Sequence, residues 1–128
     1  MNIKTIYIHC SASPRGRGDN AEVIHRWHLE KDWDGIGYHY VITEDAIEAG
    51  RPEFWKGSHV GVHNKGSLGI CLIGDKDFTE WQYKMLAFAL AVLKRKYPGV
   101  AIKGHYESDP RKTCPNFDVP EFLAKYSL

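Results

Sequence analysis

The chain has 128 residues, with 17 Lys plus Arg against 16 Asp plus Glu, 43% hydrophobic residues and 12% aromatic residues. A chain of that length forms one domain that buries roughly 65–70% of the surface its unfolded form exposes, so it holds a core without disulfide staples, and its composition excludes collagen, coiled coil and disorder. A net charge of +1 with both signs interspersed gives no basic face for nucleic acid or an anionic membrane, and no apolar run nears the ~18–20 residues of a membrane span.

The residues from Met1 to His9 lack the basic start, apolar stretch and small-residue cleavage site of a signal peptide, so synthesis in a cytoplasm without a leader is expected. The first strand is Thr5-Ile6-Tyr7-Ile8-His9-Cys10, β-branched and aromatic, delivering His9 to a loop mouth with Cys10 on the opposite face. Asp19 and Glu22 have capping-box spacing for a helix that carries Ile24, Trp27, His28 and Lys31 on one side and ends near Asp32. Tyr38-His39-Tyr40-Val41-Ile42 and Ile47-Glu48-Ala49 read as a β-hairpin, with Ala46 where a turn would more easily take glycine.

Gly50 to Gly66 lacks periodicity and reads as a long functional loop. The nearly continuous apolar run Ser67 to Gly74 suits a central strand covered on both faces, which makes Cys71 a core residue. Thr79 and Gln82 form a second capping box before a helix whose apolar positions Trp81, Met85, Phe88, Ala89, Val92 and Leu93 recur at helical spacing until Tyr97-Pro98-Gly99. A short strand, Val100 to Lys103, feeds Gly104-His105, and Asp118 starts a last helix. The expected architecture is a single α/β domain over residues 1–128, a central mixed sheet of about five strands flanked by helices.

His9 and His105 lie at strand ends, and Cys114 follows His105 by nine residues. Two imidazoles and a thiolate supply three protein ligands for Zn²⁺ and leave a fourth position open, the pattern of a catalytic zinc. The three cysteines, Cys10, Cys71 and Cys114, form no CxxC motif, which fits a reduced compartment and a thiolate that serves a metal. Prolines at 110 and 115 stiffen the loop that carries Cys114 and Lys112, a cation placed to favour a thiolate or to neutralise an oxyanion. His25 and His28 lie one helical turn apart but read as packing surface, and Trp33, Trp55 and Trp81 read as core. Trp55, inside the long loop, could also stack on a sugar. His39 reads as a structural histidine.

The blocks Ile8-His9-Cys10-Ser11-Ala12, Gly35-Ile36-Gly37-Tyr38-His39-Tyr40, Glu48-Ala49-Gly50-Arg51, Gly57-Ser58-His59, Ser67 to Gly74, Gly104-His105 and Lys112-Thr113-Cys114-Pro115 run in order along the chain. In this it resembles the zinc-dependent N-acetylmuramoyl-L-alanine amidases of the bacteriophage lysozyme type, which share a fold with animal peptidoglycan-recognition proteins. The resemblance implies one Zn²⁺ on His9, His105 and Cys114, with Tyr38 and Lys112 assisting hydrolysis of the amide between N-acetylmuramic acid and L-alanine. It further implies a groove for glycan and stem peptide contacted by His59 and Asn64. Bacterial peptidoglycan is then the expected partner of a monomer that binds no nucleic acid, inserts in no membrane, and acts on the wall as a phage endolysin. A cytoplasmic amidase recycling muropeptides and a non-catalytic peptidoglycan-binding module are the alternatives.

Overall fold

In a computed structural model, residues 2–128 are described. Strand β1 (Thr5–Cys10) leads to helix α1 (Ala21–Glu30), then to the hairpin β2 (Tyr40–Ile42) and β3 (Ile47–Ala49). Strand β4 (Ser67–Leu72), helix α2 (Glu80–Lys96), strand β5 (Ala101–Gly104) and helix α3 (Val119–Lys125) complete the chain. The five strands order as β3-β2-β4-β1-β5. β1 runs parallel to β4 and β5, β2 runs parallel to β4, and only the β2–β3 hairpin is antiparallel, so the sheet is mixed.

Alternation along the two middle strands sorts the sheet into two faces. Ile6, Ile8 and Cys10 of β1 and Leu68, Ile70 and Leu72 of β4 join Leu86, Leu90, Leu93, Val119 and Phe122 in the main core. On the other face Val41, Cys71 and Ile73 pack with Ile24 and Ile36. His9 lies on that second face, in register with Cys71.

Three local expectations change. The N-cap of α1 is Asn20, whose side chain accepts from the Val23 amide. Asp19 instead receives the Arg17 guanidinium at 2.8 Å, a fork that holds its carboxylate on Arg17 rather than on a helix amide. The Thr79–Gln82 capping box forms as expected, but α2 is rotated from the predicted phase. Gln82, Leu86, Leu90 and Leu93 are buried, whereas Trp81, Phe88 and Val92 are 37%, 60% and 49% exposed. The helix is apolar on most of its circumference, so spacing alone leaves its phase open. Gln82 sets it, donating its side-chain amide to the carbonyls of Ile73 (2.9 Å) and Ile42 (3.3 Å) at the C-terminal ends of β4 and β2. Thirdly, Trp33 and Trp55 are exposed, like Trp81, rather than core.

The turn between β2 and β3 needs no glycine at Ala46. Thr43 Oγ1 accepts the amides of Asp45 and Ala46, and the Thr43 amide donates to the Ala46 carbonyl. A hydroxyl therefore does the work that a left-handed residue otherwise does in a tight hairpin. No helix among the described residues is long and apolar enough to cross a membrane.

Candidate metal centre and substrate groove

β1 ends by presenting His9 on the α1 side of the sheet, and the neighbouring strand β5 runs directly into His105. The loop after His105 returns Cys114 to the end of β1, where the Tyr106 amide donates to the Cys114 carbonyl. A ligand atom of each of His9, His105 and Cys114 lies within 4.8 Å of the others. Parallel pairing of β1 with β5 thus converts ligands far apart in sequence into one cluster.

The surroundings suit a cation. Burial first, then the neighbouring His59 and His105, holds the buried His9 well below the ordinary imidazole range. Burial and Lys112 lower His105, so both rings are neutral donors near neutral pH. The Cys10 amide donates to Cys114 Sγ at 2.8 Å, a bond that strengthens when the sulfur carries charge. With no metal, the hydrogen bond shared with Cys10 and burial push the Cys114 thiol up. The donor set of two neutral imidazoles and one thiol, met by a backbone N–H, fits zinc.

Tyr38 stands against this cluster, its ring centroid 5.1 Å from that of His9. Burial pushes its phenol well above the usual tyrosine value, so it keeps its proton and remains a donor. A groove of about 800 Å³ reaches the cluster at His105, with Lys31, Trp33, Tyr38, Arg111 and Lys112 also among its walls. Lys112 is exposed there, and Arg111 is paired with Asp109 at 3.0 Å.

His59 and Asn64 sit on the same wall, yet both have partners inside the protein. Asn64 Oδ1 accepts the amides of His59 (2.9 Å) and Val60 (2.8 Å), which folds the loop back on itself. His59 is buried, its Nδ1 2.9 Å from His9 Nε2. Burial first, with His39, His105 and Arg51 adding, lowers its pKa to about 3. The link from His59 to His9 had no signal in the sequence, because it depends on Gly69 leaving room for a ring above the central strand. Lys31 and Arg111 were likewise missed as groove residues, since loop and helix-end cations carry no pattern of their own.

The remaining histidines are occupied structurally. His25 Nδ1 accepts the Ile36 amide at 3.0 Å and His28 Nδ1 accepts the Gly37 amide at 2.9 Å. Each lone pair that a second metal would need is therefore already holding the loop between α1 and β2. His39 accepts the Gly69 amide at Nδ1 (3.0 Å) and lies 2.8 Å from the Trp55 carbonyl at Nε2.

The profile of the N-acetylmuramoyl-L-alanine amidase family matches residues 1–117. This chain belongs to that family. The amidase is 37% identical to an endolysin of Escherichia phage T7 over 96% of its own length and 87% of the relative's. Among solved structures it is similar to the endolysin amidase LysCS from Clostridium intestinale, with a TM-score of 0.89 and 30% identity over 99% of this chain and 85% of that one. A Drosophila peptidoglycan-recognition protein, PGRP-LB, superposes with a TM-score of 0.77 and 27% identity over 89% and 75% of the two chains. The amidase hydrolyses the amide bond between the N-acetylmuramoyl group and L-alanine, the reaction of its family.

Proposed function

We propose that this amidase works as a zinc-dependent phage endolysin on bacterial peptidoglycan, with His9, His105 and Cys114 as the metal ligands. The observation that carries the reading is the convergence of those three donors within 4.8 Å, one of them, His105, lining an open groove, in a chain whose relatives in phages T7 and T3 are named endolysins. Zinc held by these three residues would supply a Lewis acid and make water a better nucleophile near neutral pH.

The chain's own groups do the rest. The groove aligns the muramoyl carbonyl over the three ligands and keeps the glycan and stem peptide extended along its walls. Tyr38, protonated and beside His9, donates to the oxygen that gains negative charge as the carbonyl carbon becomes tetrahedral. Lys112 places its ammonium on the same side and offsets that charge. Lys31 and Lys112 put positive charge along the groove, which suits the carboxylates of a stem peptide. His59 and Asn64 shape the groove through their internal hydrogen bonds. The domain acts as a monomer on the wall.

The test is mass spectrometry of products after zinc-loaded protein is incubated with purified peptidoglycan and, separately, with soluble muropeptides. Stem peptides with a free L-alanine amino terminus, released from intact wall with unbroken glycan, are expected. Turnover of soluble fragments alone would replace the endolysin role with recycling. Bound but uncut wall would make the domain a binding module.

A further inference from the structure

His59 takes part in a hydrogen-bonded chain whose direction is fixed at its far end. Ser67 Oγ lies 2.8 Å from the His63 carbonyl and 3.1 Å from the Asn64 carbonyl. Carbonyls only accept, so the single hydroxyl proton of Ser67 is committed to them. Its lone pairs face His59 Nε2 at 3.3 Å, which requires Nε2 to carry the ring proton. A neutral imidazole has one N–H, so His59 Nδ1 is left bare and accepts from His9 Nε2 at 2.9 Å. His9 is then protonated on Nε2, and its only free lone pair is on Nδ1.

The ring of His59 is held in that pose by two missing side chains. A Cβ on Gly69 would lie 2.7 Å from His59 Cγ and 2.8 Å from Nδ1, and a Cβ on Gly57 would lie 2.6 Å from Cδ2. The His39 ring meets it edge-on at 5.8 Å between centroids. Ring rotation would exchange Nδ1 for carbon and break both hydrogen bonds.

We propose that His59 is a positioning residue for the metal, with Ser67 as its anchor: the relay from the loop carbonyls through Ser67 and His59 to His9 fixes the His9 tautomer and aims Nδ1 at the metal. The inference rests on the zinc reading above. Partners of metal-ligating histidines are more often carboxylates or carbonyls, and their loss weakens metal binding about ten- to a hundredfold. A neutral imidazole acceptor leaves the centre without extra negative charge, which keeps the metal a stronger Lewis acid.

The experiment uses the intact chain and zinc itself, titrated against a chromophoric chelator for wild type, H59F, H59N and C114S, together with ring ¹⁵N–¹H spectra of the wild type. The spectra are expected to show His9 and His59 each protonated at Nε2. H59F fills the space without an acceptor and should bind zinc about ten- to a hundredfold more weakly. H59N puts an amide oxygen near the position of Nδ1 and should recover most of that loss, which a merely space-filling role would not produce. Equal affinity in wild type and H59F, or His59 protonated at Nδ1, overturns the relay while leaving the zinc site standing if C114S alone loses metal. A wild-type chain that binds no zinc removes both readings. Should H59F fail to fold, the wild-type spectra decide the matter by themselves.

Discussion

Replacing Gly69 by alanine probes the packing that holds the metal centre together. The new Cβ would lie 2.7, 2.8 and 2.9 Å from His59 Cγ, Nδ1 and Cδ2, while relaxed carbon contacts fall at about 3.5–4.0 Å. The ring must therefore retreat by about 0.7 Å or more, away from both Gly69 and His9. Gly57 closes off the other side, since the ring already fills the space its side chain would need. A retreat of that size stretches the 2.9 Å contact between His9 and His59 to about 3.5 Å, beyond useful hydrogen bonding. Overpacking contributes a loss of about 1–3 kcal/mol and an unpaired buried N–H on His9 about 1–3 more, offset by about 0.4–1 kcal/mol from the stiffer unfolded chain. The net expectation is a destabilisation of about 2–4 kcal/mol, or a Tm lower by about 8–15 °C for a chain of this size. Urea unfolding followed by circular dichroism measures it, with G61A as the control because nothing lies within 4 Å of a Cβ there. That control costs only left-handed backbone strain, about 1 kcal/mol. A G69A protein as stable as wild type would refute the argument that the central strand is left bare to seat His59.

Other outcomes follow from the same geometry. Q82A should lose about 2–4 kcal/mol, because the Ile73 carbonyl and the Thr79 amide lose their partner together and the Ile42 carbonyl keeps only the Ile73 amide. F88A should stay within about 0.5 kcal/mol, and the reverse order in urea would mean that α2 is packed in the predicted phase after all. Burial lowers His28 to about 4 from the ordinary 6.5, so the unfolded chain takes up a proton that the folded one refuses. The contribution of this ring in the metal-free protein is complete above pH 6.5 and is lost as pH drops toward 4, by about 1–2 kcal/mol after solvent screening of a half-buried ring. H28N keeps an acceptor for the Gly37 amide and should make the acid-side slope of stability shallower, the other buried histidines supplying the rest; an unchanged slope excludes His28 as a source. Zinc loading near neutral pH should release about one proton, from Cys114, since burial already keeps His9 and His105 neutral. Calorimetry in two buffers of different ionisation enthalpy counts it, and release of no proton would contradict the ligand states. K112A should lower kcat about 10²- to 10³-fold with zinc content unchanged; unaltered turnover removes Lys112 from the mechanism.

Much of this was legible in the amino-acid sequence because it depends on short-range rules. The period-two pattern of Thr5 to Cys10 put His9 and Cys10 on opposite faces, and the structure places Cys10 in the main core and His9 on the α1 side. The Thr79–Gln82 box and the Asp118 cap were readable because a cap and its partner amide lie three residues apart. The cap of α1 was misplaced by one residue because Asp19 and Asn20 have the same local chemistry, and Arg17 decides between them. The phase of α2 was misread for a different reason: an all-round apolar helix rotates freely until something distant, here the two sheet carbonyls bonded by Gln82, selects an angle.

The candidate site divides the same way. Residue types and ordered blocks singled out His9, Tyr38, His105, Lys112 and Cys114, because donor chemistry is a property of single side chains. Their assembly belongs to the sheet: only parallel pairing of β1 with β5 carries His105 to His9, and the loop beyond it returns Cys114. The second role of His59 was illegible from its position, because its hydrogen bonds run to a strand fifty residues earlier and to Ser67 across an absent side chain at Gly69. Sequence determines which groups can bond and which local turns and caps they favour. Tertiary structure decides which of those groups meet, because a hydrogen bond or a metal bond is effective only within a few tenths of an ångström.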